Sequence, residues 1–354
     1  MIKEEYSLYK IVHHYDKILA MQQNEPVSPV QIHLVPSNRC NESCSFCSYR
    51  MKGHTSNQKF SEKDIISSEK IYEIIDSCVA LGVKAIQFTG GGEPLVHPNI
   101  KSIIRRTKEK GLDVGLVTNG LFLDDELIDI LSDVVWVRIS LDAANAETYS
   151  QMRGTKEKNF YRVIDSVASL ADYKKTTVLG VGFVVNVNNY KEIYESAKIC
   201  KERGVDNFRI SALFNPRGLE YFSDFHEHAK FLAQRCKIEL EDDDFTVFNL
   251  YDDRIKDMFE GKQEYSFCPM KDFVPYVGAD LNVYTCCMYA YNDKGLIGSI
   301  QNRSFEELWH SEEKKKFYDA HDPRKVCQIP CMFQRKNEFI NYCMKKNPKH
   351  VNFV

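Results

Sequence analysis

The chain has 354 residues, a formal net charge of −3 and 43% hydrophobic residues, which are ordinary values for a globular protein. Interspersed charges of both signs argue against a protein held to nucleic acid or a membrane surface by bulk electrostatics, so we expect neither partner. The sequence has no secretory signal and no run of about 18 apolar residues, which predicts a cytoplasmic protein with reduced thiols.

The unusual feature of the composition is its twelve cysteines. Where thiols stay reduced, grouped cysteines indicate metal or redox sites more often than disulfides. Three cysteines lie within residues 40–47, six lie within residues 268–343, and three are isolated. The isolated cysteines follow apolar residues at helical spacing, so we expect them in the core; they are Cys78, Cys200 and Cys236.

Between about residues 30 and 213, short β-rich runs alternate with helical patterns. The predicted helices begin near Ser67, begin at Asp124, and span 190–203 before Gly204. This alternation predicts a parallel βα array, either a partial barrel or a doubly wound sheet. The predicted strands are Val30–Pro36, Ala85–Thr89, Asp113–Thr118, Val134–Leu141, Val178–Asn186 and Asn207–Leu213.

The pattern changes after about residue 222. A polar helical stretch leads to the acidic run at 241–244, and the cysteine-rich tail begins after Glu264. We therefore expect four parts: an N-terminal extension at 1–27, the βα array at 28–222, a linker or helical segment at 223–265 and a small α+β domain at 266–354.

Cys40, Cys44 and Cys47 follow the first predicted strand at the spacing C-x3-C-x2-C. Three thiolates on one loop can hold three irons of a four-iron cluster, whose usual complement is four cysteines. The missing fourth ligand leaves one iron open, which is typical of a catalytic site. Zinc is the alternative, although His33 and His54 have poor spacing for a fourth ligand.

With its neighbouring motifs, this segment resembles the signature of the radical S-adenosylmethionine (SAM) enzymes. The resemblance covers about residues 28–215, and its motifs occur in order at successive strand ends. It implies a partial (β/α)6 TIM-like barrel within the α/β class. The further matching segments are Thr89–Pro94, Thr118–Gly120, Arg138–Asp142, Tyr149–Gly154 and Asn186.

The resemblance implies that the glycine backbone meets the SAM ammonium and that the Arg153 fork binds a carboxylate. If the resemblance is set aside, the same residues have ordinary structural roles. The glycines form a turn, Arg153 forms a surface salt bridge, and Ser140 and Asp142 cap a helix. Phe46 packs either on the adenine or simply within its loop. The implied cofactor contacts are Phe46, Gly90, Gly91, Gly92, Glu93, Asn119, Ser140, Asp142, Arg153 and Asn186.

The cysteine-rich tail resembles the C-terminal auxiliary-cluster domains called SPASM, or their shortened form called twitch. The matching elements include a strand at Asn282–Thr285, a turn at 297–300 and a helix at Phe305–Trp309. Leu281 replaces a glycine of the family pattern, and the terminal cysteines are fewer than two clusters need, so we expect one auxiliary 4Fe-4S cluster. A zinc module is the alternative. The expected ligands are Cys268, Cys286, Cys327 and Cys331.

Two tail cysteines are left without a role as ligands. Cys287 follows Cys286 directly, so an extended strand would point the two side chains to opposite faces. Cys343 could replace a ligand. If the reaction returns a hydrogen to the substrate, as an epimerisation does, these two thiols are the candidate donors.

The resemblance implies that SAM is cleaved reductively to a 5′-deoxyadenosyl radical, which abstracts a hydrogen from the substrate. One electron comes from an external donor of the flavodoxin or ferredoxin type. Only 39 residues precede Cys40, which we take to exclude a leader-peptide-binding domain and to favour a small carbohydrate-like or nucleoside-like substrate. The alternatives are a maturase acting on a peptide or protein side chain and a non-catalytic iron–sulfur or zinc protein.

Overall fold

A computed structural model describes residues 5–260, 263–327 and 331–352 of the chain. The strands are β1 Gln31–Leu34, β2 Ala85–Phe88, β3 Asp113–Thr118, β4 Trp136–Ser140, β5 Val178–Val185, β6 Asn207–Ala212, β7 Thr246–Asn249, β8 Tyr276–Val277, β9 Asn282–Tyr284 and β10 Leu296–Ser299.

The α-helices are α1 Tyr15–Gln22, α2 Ser68–Ala80, α3 Ile100–Glu109, α4 Asp125–Leu131, α5 Ala146–Arg153, α6 Lys158–Tyr173, α7 Ile193–Glu202, α8 His226–Leu240, α9 Tyr251–Glu260, α10 Met270–Phe273, α11 Phe305–Trp309, α12 Glu312–Ala320, α13 Pro323–Val326 and α14 Gln334–Cys343. Short 3-10 helices occupy Leu8–His14, Thr55–Asn57, Pro94–Val96, Tyr190–Glu192, Gly218–Phe222, Cys287–Tyr289 and Asp293–Gly295.

The ten strands formed by the described residues belong to one sheet, in the order β10-β9-β8-β1-β2-β3-β4-β5-β6-β7. The strands β1 to β7 pair in parallel, each with the next. Helices connect them, as parallel pairing requires. The predicted α/β partial barrel is therefore confirmed, and its six predicted strands match β1 to β6 within a few residues at each end.

The helix starts follow from capping chemistry. The Ser67 hydroxyl accepts a hydrogen bond from the backbone N–H of Lys70 at 3.2 Å, and one Asp124 oxygen accepts one from Leu127 at 2.9 Å. Each bond satisfies a donor that the first turn of a helix leaves without a partner. These caps explain why α2 and α4 begin where the sequence predicts.

The segment 223–265 contains a strand that the sequence did not predict. The strand β7 pairs in parallel with β6, in register from Asn207 opposite Thr246 to Ile210 opposite Asn249. It lies between α8 and α9, so the parallel array continues beyond six strands. The strand is only four residues long and follows four acidic residues at 241–244, which obscures its apolar pattern.

The C-terminal region joins the same sheet through β8, which pairs in parallel with β1. The helix predicted at Phe305–Trp309 is confirmed as α11. One local prediction was wrong and another held only in part. The predicted turn at 297–300 is mostly strand β10, which pairs antiparallel with β9. The strand β9 ends at Tyr284; Cys286 keeps an extended backbone, with φ −170° and ψ 169°, whereas Cys287 begins a 3-10 helix.

The main core packs the sheet against the surrounding helices and includes the isolated cysteines. Cys78, Cys200 and Cys236 are at most 1% exposed, which confirms their predicted place in the core. A second apolar cluster joins α1 to the C-terminal region through Ile18 and Ile340. No helix in the described part of the chain is long and apolar enough to cross a membrane.

Polar side chains alternate with apolar ones along β1, and His33 projects to the barrel interior. Burial lowers the pKa of His33 to about 4, helped by the charges of Arg138 and Lys336. Its ring meets Tyr276 edge-on, with centroids 6.2 Å apart. The histidine is therefore held neutral inside the barrel.

We expect His33→Gln to reduce the loss of stability in mild acid. Between pH 6.5 and 4 the unfolded chain binds the proton and the folded chain does not, so the wild type loses stability as pH falls. The change that His33→Gln causes in the free energy of unfolding should be more favourable by about 1 kcal/mol at pH 5.5 than at pH 7.5. Thermal unfolding at both pH values measures this difference. The exposed His310 provides the matched control His310→Gln, and equal pH dependence in all three proteins would contradict the prediction.

Candidate active site

The C-terminal ends of β1 to β4 bring the predicted site residues into one pocket of about 160 Å³. The carboxyl ends of parallel strands in an α/β array are the usual place for a site. Of the residues predicted from the sequence, those that line the pocket are Cys40, Cys44, Cys47, Gly90, Gly91, Gly92, Glu93, Asn119, Ser140 and Arg153. Phe46, Asp142 and Asn186 lie outside its lining.

The three thiols of the first cysteine loop are suited to a metal cluster. They share the pocket, and burial raises the pKa of Cys40 to about 12 and raises the pKa of Cys44. Buried thiolates need positive charge nearby, which metal ions supply as they displace the thiol protons. The donor set therefore fits an iron–sulfur cluster with three cysteine ligands.

The glycine loop after β2 packs directly on the cysteine loop. A Cβ atom at Gly92 would lie 2.2 Å from the carbonyl oxygen of Arg39, and one at Gly91 would lie 2.6 Å from the side-chain oxygen of Asn38. The N–H of Glu93 donates to the same Arg39 carbonyl at 2.9 Å. Glycine is needed here for the approach of two protein loops, a reason beyond the ligand approach that the sequence suggested.

The carboxylate of Glu93 is fixed inside the pocket by three hydrogen bonds. It accepts from the Thr118 hydroxyl at 2.6 Å, from the N–H of Asn119 at 2.8 Å and from the N–H of Leu95 at 3.0 Å. Burial nevertheless raises the pKa of Glu93 to about 7. A cation bound beside this carboxylate would stabilise its ionised form.

Arg153 is buried within a cluster of charges rather than exposed as a surface pair. It contacts Asp142 at 2.5 Å and Glu42 at 3.3 Å, and its Nη1 lies 3.6 Å from the Cys44 sulfur. The hydroxyl of Tyr149 donates to Glu42 at 2.7 Å. Glu42 is a site residue that the sequence did not predict, although it lies inside the C-x3-C spacing, and Tyr149 was predicted only as part of the segment Tyr149–Gly154, without a role.

The same cluster orders the strand ends around the pocket. Asp142 accepts a hydrogen bond from the N–H of Val184 at 2.6 Å and adopts a φ of 60°, a conformation that aspartate tolerates. Asn145, and not Asp142 or Ser140, caps α5. The ring of Phe46 lies 5.7 Å from the Arg153 guanidinium carbon, and Asn186 donates to the sulfur of Met152.

We expect Arg153→Met to lower the free energy of unfolding by about 3–5 kcal/mol, because Glu42 and Asp142 lose their buried counter-charge. Arg105→Met is the matched control. Arg105 forms an exposed pair with Glu126 at 2.8 Å, and an exposed pair contributes below about 1 kcal/mol. Denaturant unfolding of both variants measures the difference. Adding Asp142→Asn and Glu42→Gln to Arg153→Met should restore part of the loss, and equal losses for Arg153→Met and Arg105→Met would refute the buried-cluster account.

The four predicted auxiliary ligands are brought together on the C-terminal side. Burial raises the pKa values of Cys268 and Cys331 to about 11, and each is raised further by another thiolate of the set. The charges of Cys286, Cys268 and Cys331 raise the pKa of Cys327 in the same way. Among the described residues, no group of three or more His, Cys, Asp or Glu side chains is arranged to hold a single metal ion. Residues 328–330 lie outside the described part of the chain.

Asn337 on α14 is a further residue that the sequence analysis missed. It is fully buried, its Oδ1 accepts from the Cys268 thiol at 3.6 Å, and its Nδ2 lies 3.7 Å from the Cys331 sulfur. The Asn337 amide therefore joins two of the predicted ligands. Asn337 reaches this site through the position of α14, which begins after the last expected ligand.

The two remaining thiols occupy different places. Cys287 lies 2.9 Å from the sulfur of Met332, and its pKa is influenced by Arg254 and Cys331. Its charge also raises the pKa of Tyr49, two residues beyond the first cysteine loop. Cys287 thus lies between the two cysteine sites. Cys343 packs against the second apolar cluster.

The fold and these sites define the class of protein. It is a partial α/β barrel with an open three-cysteine site at its strand ends and a second cysteine site in a C-terminal extension. A model of the radical SAM superfamily matches residues 34–198, and a model of the iron–sulfur cluster-binding domain SPASM matches residues 268–332. The chain belongs to the radical SAM superfamily and carries a C-terminal SPASM domain. These domains indicate SAM, its 4Fe-4S cluster and auxiliary iron–sulfur chemistry as cofactors.

Among curated relatives, a "Probable GTP 3',8-cyclase" of Saccharolobus islandicus is 29% identical over 205 residues, which are 57% of this chain and 62% of that protein. A "Tungsten-containing aldehyde ferredoxin oxidoreductase cofactor-modifying protein" of Pyrococcus furiosus is 29% identical over 190 residues, 51% of each chain. The chain therefore matches less than two thirds of the length of these relatives.

Solved structures show the same fold at low sequence identity. SuiB of Streptococcus suis, bound to its precursor peptide SuiA, has a TM-score of 0.65 and 13% identity; the match covers 98% of this chain and 81% of that one. The structure of anSMEcpe with bound AdoMet has a TM-score of 0.60 and 17% identity, with coverage of 89% and 96%.

Proposed function

We propose that this chain is a radical SAM enzyme that removes a hydrogen atom from a small carbohydrate-like or nucleoside-like metabolite. The observation that carries the proposal is the single pocket at the strand ends, where three thiols, a glycine turn, Glu93 and Arg153 meet. When bound, the cluster and SAM supply a 5′-deoxyadenosyl radical after one-electron reduction. The electron comes from an external flavodoxin-type or ferredoxin-type donor.

The residues of the pocket divide between holding the cluster and holding SAM. Cys40, Cys44 and Cys47 bind three irons. The backbone of the glycine loop binds the SAM ammonium, and the Glu93 carboxylate neutralises its charge. The Glu93 carboxylate can pair with the SAM ammonium because three hydrogen-bond donors hold the carboxylate oxygens in place.

Arg153, Asp142 and Ser140 orient the carboxylate and ribose side of the cofactor. Arg153 is fixed by two carboxylates, and its Nε is buried with no hydrogen-bond partner among the described residues. An unsatisfied buried donor is costly and is relieved by an incoming acceptor. Phe46 packs beside this guanidinium, where it adds an apolar surface for adenine, and Asn186 completes the proposed contacts.

Cys268, Cys286, Cys327 and Cys331 bind the auxiliary cluster, which assists an oxidation, an epimerisation or a related step. If a hydrogen is returned to the substrate, the position of Cys287 between the two cysteine sites supports it as the donor over Cys343. After such a transfer the sulfur radical needs one electron and one proton, which the external donor and water supply.

The substrate class rests on weaker similarity than the radical chemistry does. The curated relatives named as GTP cyclases support a small nucleoside-like substrate. The structures of SuiB and anSMEcpe with peptides share the fold at under 20% identity, and they define the alternative of a peptide substrate. No observation favours that alternative over the small molecule.

The test begins with protein purified and reconstituted without oxygen. We expect about eight irons per chain and, with dithionite, conversion of SAM to 5′-deoxyadenosine and methionine. Protein with a full iron content that does not cleave SAM would overturn the proposal and leave a non-catalytic iron–sulfur protein. Zinc in place of iron would overturn it as well. If a peptide accelerated SAM cleavage and no sugar or nucleoside did, the substrate would be a peptide, which is the alternative class.

A further inference from the structure

Two arginines face each other inside the barrel. Arg138 is the third residue of β4 and Arg209 is the third residue of β6, and both lie on the interior side of their strands. The strand β5 between them presents Gly180 opposite Arg138 and Gly182 opposite Arg209. A Cβ atom at Gly182 would lie 3.4 Å from the Arg138 side chain, so that side chain lies across Gly182 toward Arg209.

Neither arginine forms a close ion pair within residues 5–260, 263–327 and 331–352, where every ion pair of at most 4 Å involves other cations. The two guanidiniums instead lie over aromatic rings, Trp136 for Arg138 and Tyr6 for Arg209. The Nε of Arg209 is buried with no hydrogen-bond partner in the same residues. Burial and the charges of Arg138 and Arg254 lower the pKa of Arg209 to about 9.

Two more cations extend this group toward the auxiliary cysteines. Burial lowers the pKa of Lys336 on α14, and the neighbouring charges of Lys10 and Arg254 lower it further. Arg254 on α9 forms an ion pair with Asp257 at 3.6 Å, and the charges of Asp253 and of the Cys287 and Cys331 thiolates also act on its pKa. Arg254 therefore has close counter-charges, whereas no carboxylate among the described residues forms an ion pair within 4 Å with Arg138, Arg209 or Lys336; the Asp142 carboxylate, which Arg153 already holds, interacts with Arg138 from farther away.

Buried cations that repel one another and lack acidic partners destabilise a fold unless an anion joins them. The group lies between the two cysteine sites: Arg138 acts on the pKa of Asp142 beside the SAM pocket, and Arg254 acts on that of Cys287. This is where a substrate of the proposed enzyme would lie.

Guanidinium forks bind phosphate or carboxylate oxygens bidentately. A phosphoryl group, with up to about two negative charges, balances such a group better than one carboxylate does.

We propose that Arg138 and Arg209, with Arg254 and Lys336 beside them, bind a phosphoryl group of the substrate inside the barrel. The inference rests on the proposed function, since it specifies the substrate of the same site. It narrows the substrate from small polar metabolites in general to phosphorylated ones.

The test titrates inorganic pyrophosphate and phosphate into the reconstituted holoprotein with SAM present, by calorimetry. We expect binding, weakened about tenfold to a hundredfold by Arg209→Met or Arg138→Met because each removes charged hydrogen bonds. Arg217→Met is the matched control, since Arg217 is an exposed arginine paired with Glu220. It should bind as the wild type does.

A second readout separates an anion site from a purely structural role. Without anion, Arg209→Met should melt at a higher temperature than the wild type, because it removes a buried charge for which the described part of the chain provides no close counter-charge. Pyrophosphate should raise the melting temperature of the wild type and not that of Arg209→Met. A lower melting temperature for Arg209→Met without anion, together with unchanged binding, would overturn the proposal.

The remaining outcomes are also decisive. Binding of acetate or succinate in preference to phosphates would overturn the phosphoryl assignment, as would binding of an acidic peptide alone. Loss of pyrophosphate binding on adding SAM would assign the anion to the cofactor pocket and overturn it too. The formation of 5′-deoxyadenosine in the same preparation reports on the proposed function separately. Cleavage of SAM without anion binding removes this inference alone, whereas anion binding without SAM cleavage removes the proposed function.

Discussion

Replacing Cys40, Cys44 and Cys47 together with alanine should reduce the formation of 5′-deoxyadenosine from SAM by more than about 10³-fold, to the level without protein. The three thiols are the ligands proposed in the pocket, and without them SAM has no iron to chelate. About four irons per chain should remain in the auxiliary site. Product analysis by chromatography and an iron assay measure the two quantities on the same sample.

The control for this triple variant is Cys200→Ala, which removes a fully buried thiol of the core on α7. It should keep all irons and SAM cleavage, and lose about 1 kcal/mol of stability because a small buried side chain is shortened. If the triple variant lost every iron, the assignment of the tail cysteines to an independent cluster would fail. If it still cleaved SAM, the assignment of the first loop would fail.

The second large effect is expected at the auxiliary site. Replacing Cys268 and Cys286 with alanine should lower the iron content from about eight to about four per chain. Uncoupled cleavage of SAM should persist, because the first cysteine loop is intact, while conversion of substrate should be lost. Iron analysis and electron paramagnetic resonance of the reduced protein report on the cluster without reference to turnover.

Cys343→Ala is the matched control for this site. Cys343 packs against the second apolar cluster, and burial is the main cause that raises its pKa. The variant should keep its full iron content. The proposed ligand set would be wrong if Cys343→Ala lost about four irons while the double variant Cys268→Ala plus Cys286→Ala kept all of its iron.

The strand ends that carry the motifs were predictable from the sequence because they depend on local patterns. Apolar alternation and capping residues placed β1 to β6 and the starts of α2 and α4 within a few residues. The family's motifs then assigned the residues that meet at these ends. Neither kind of signal depends on contacts between distant parts of the chain.

The elements that differ from the sequence-based expectation are short ones that depend on tertiary pairing. The strand β7 is four residues long and exists through its hydrogen bonds to β6. The residues 297–299 form strand because β9 lies beside them. Leu281 stands where the family has glycine and has a φ of 60°, a conformation that glycine reaches easily and leucine rarely adopts, so the surrounding fold imposes this backbone on an unfavourable residue.

The sequence by itself determined the class of chemistry, because the spacing of the cysteines within each loop decides which metals and clusters they can hold. Only the tertiary structure decided which charges share the interior. Arg153 is held by two carboxylates, one of them 111 residues away. Arg138 faces Arg209 across a single strand, and neither forms an ion pair within 4 Å among the described residues. Burial makes a charge depend on its immediate neighbours, and in a parallel βα array those neighbours come from strands far apart in the chain.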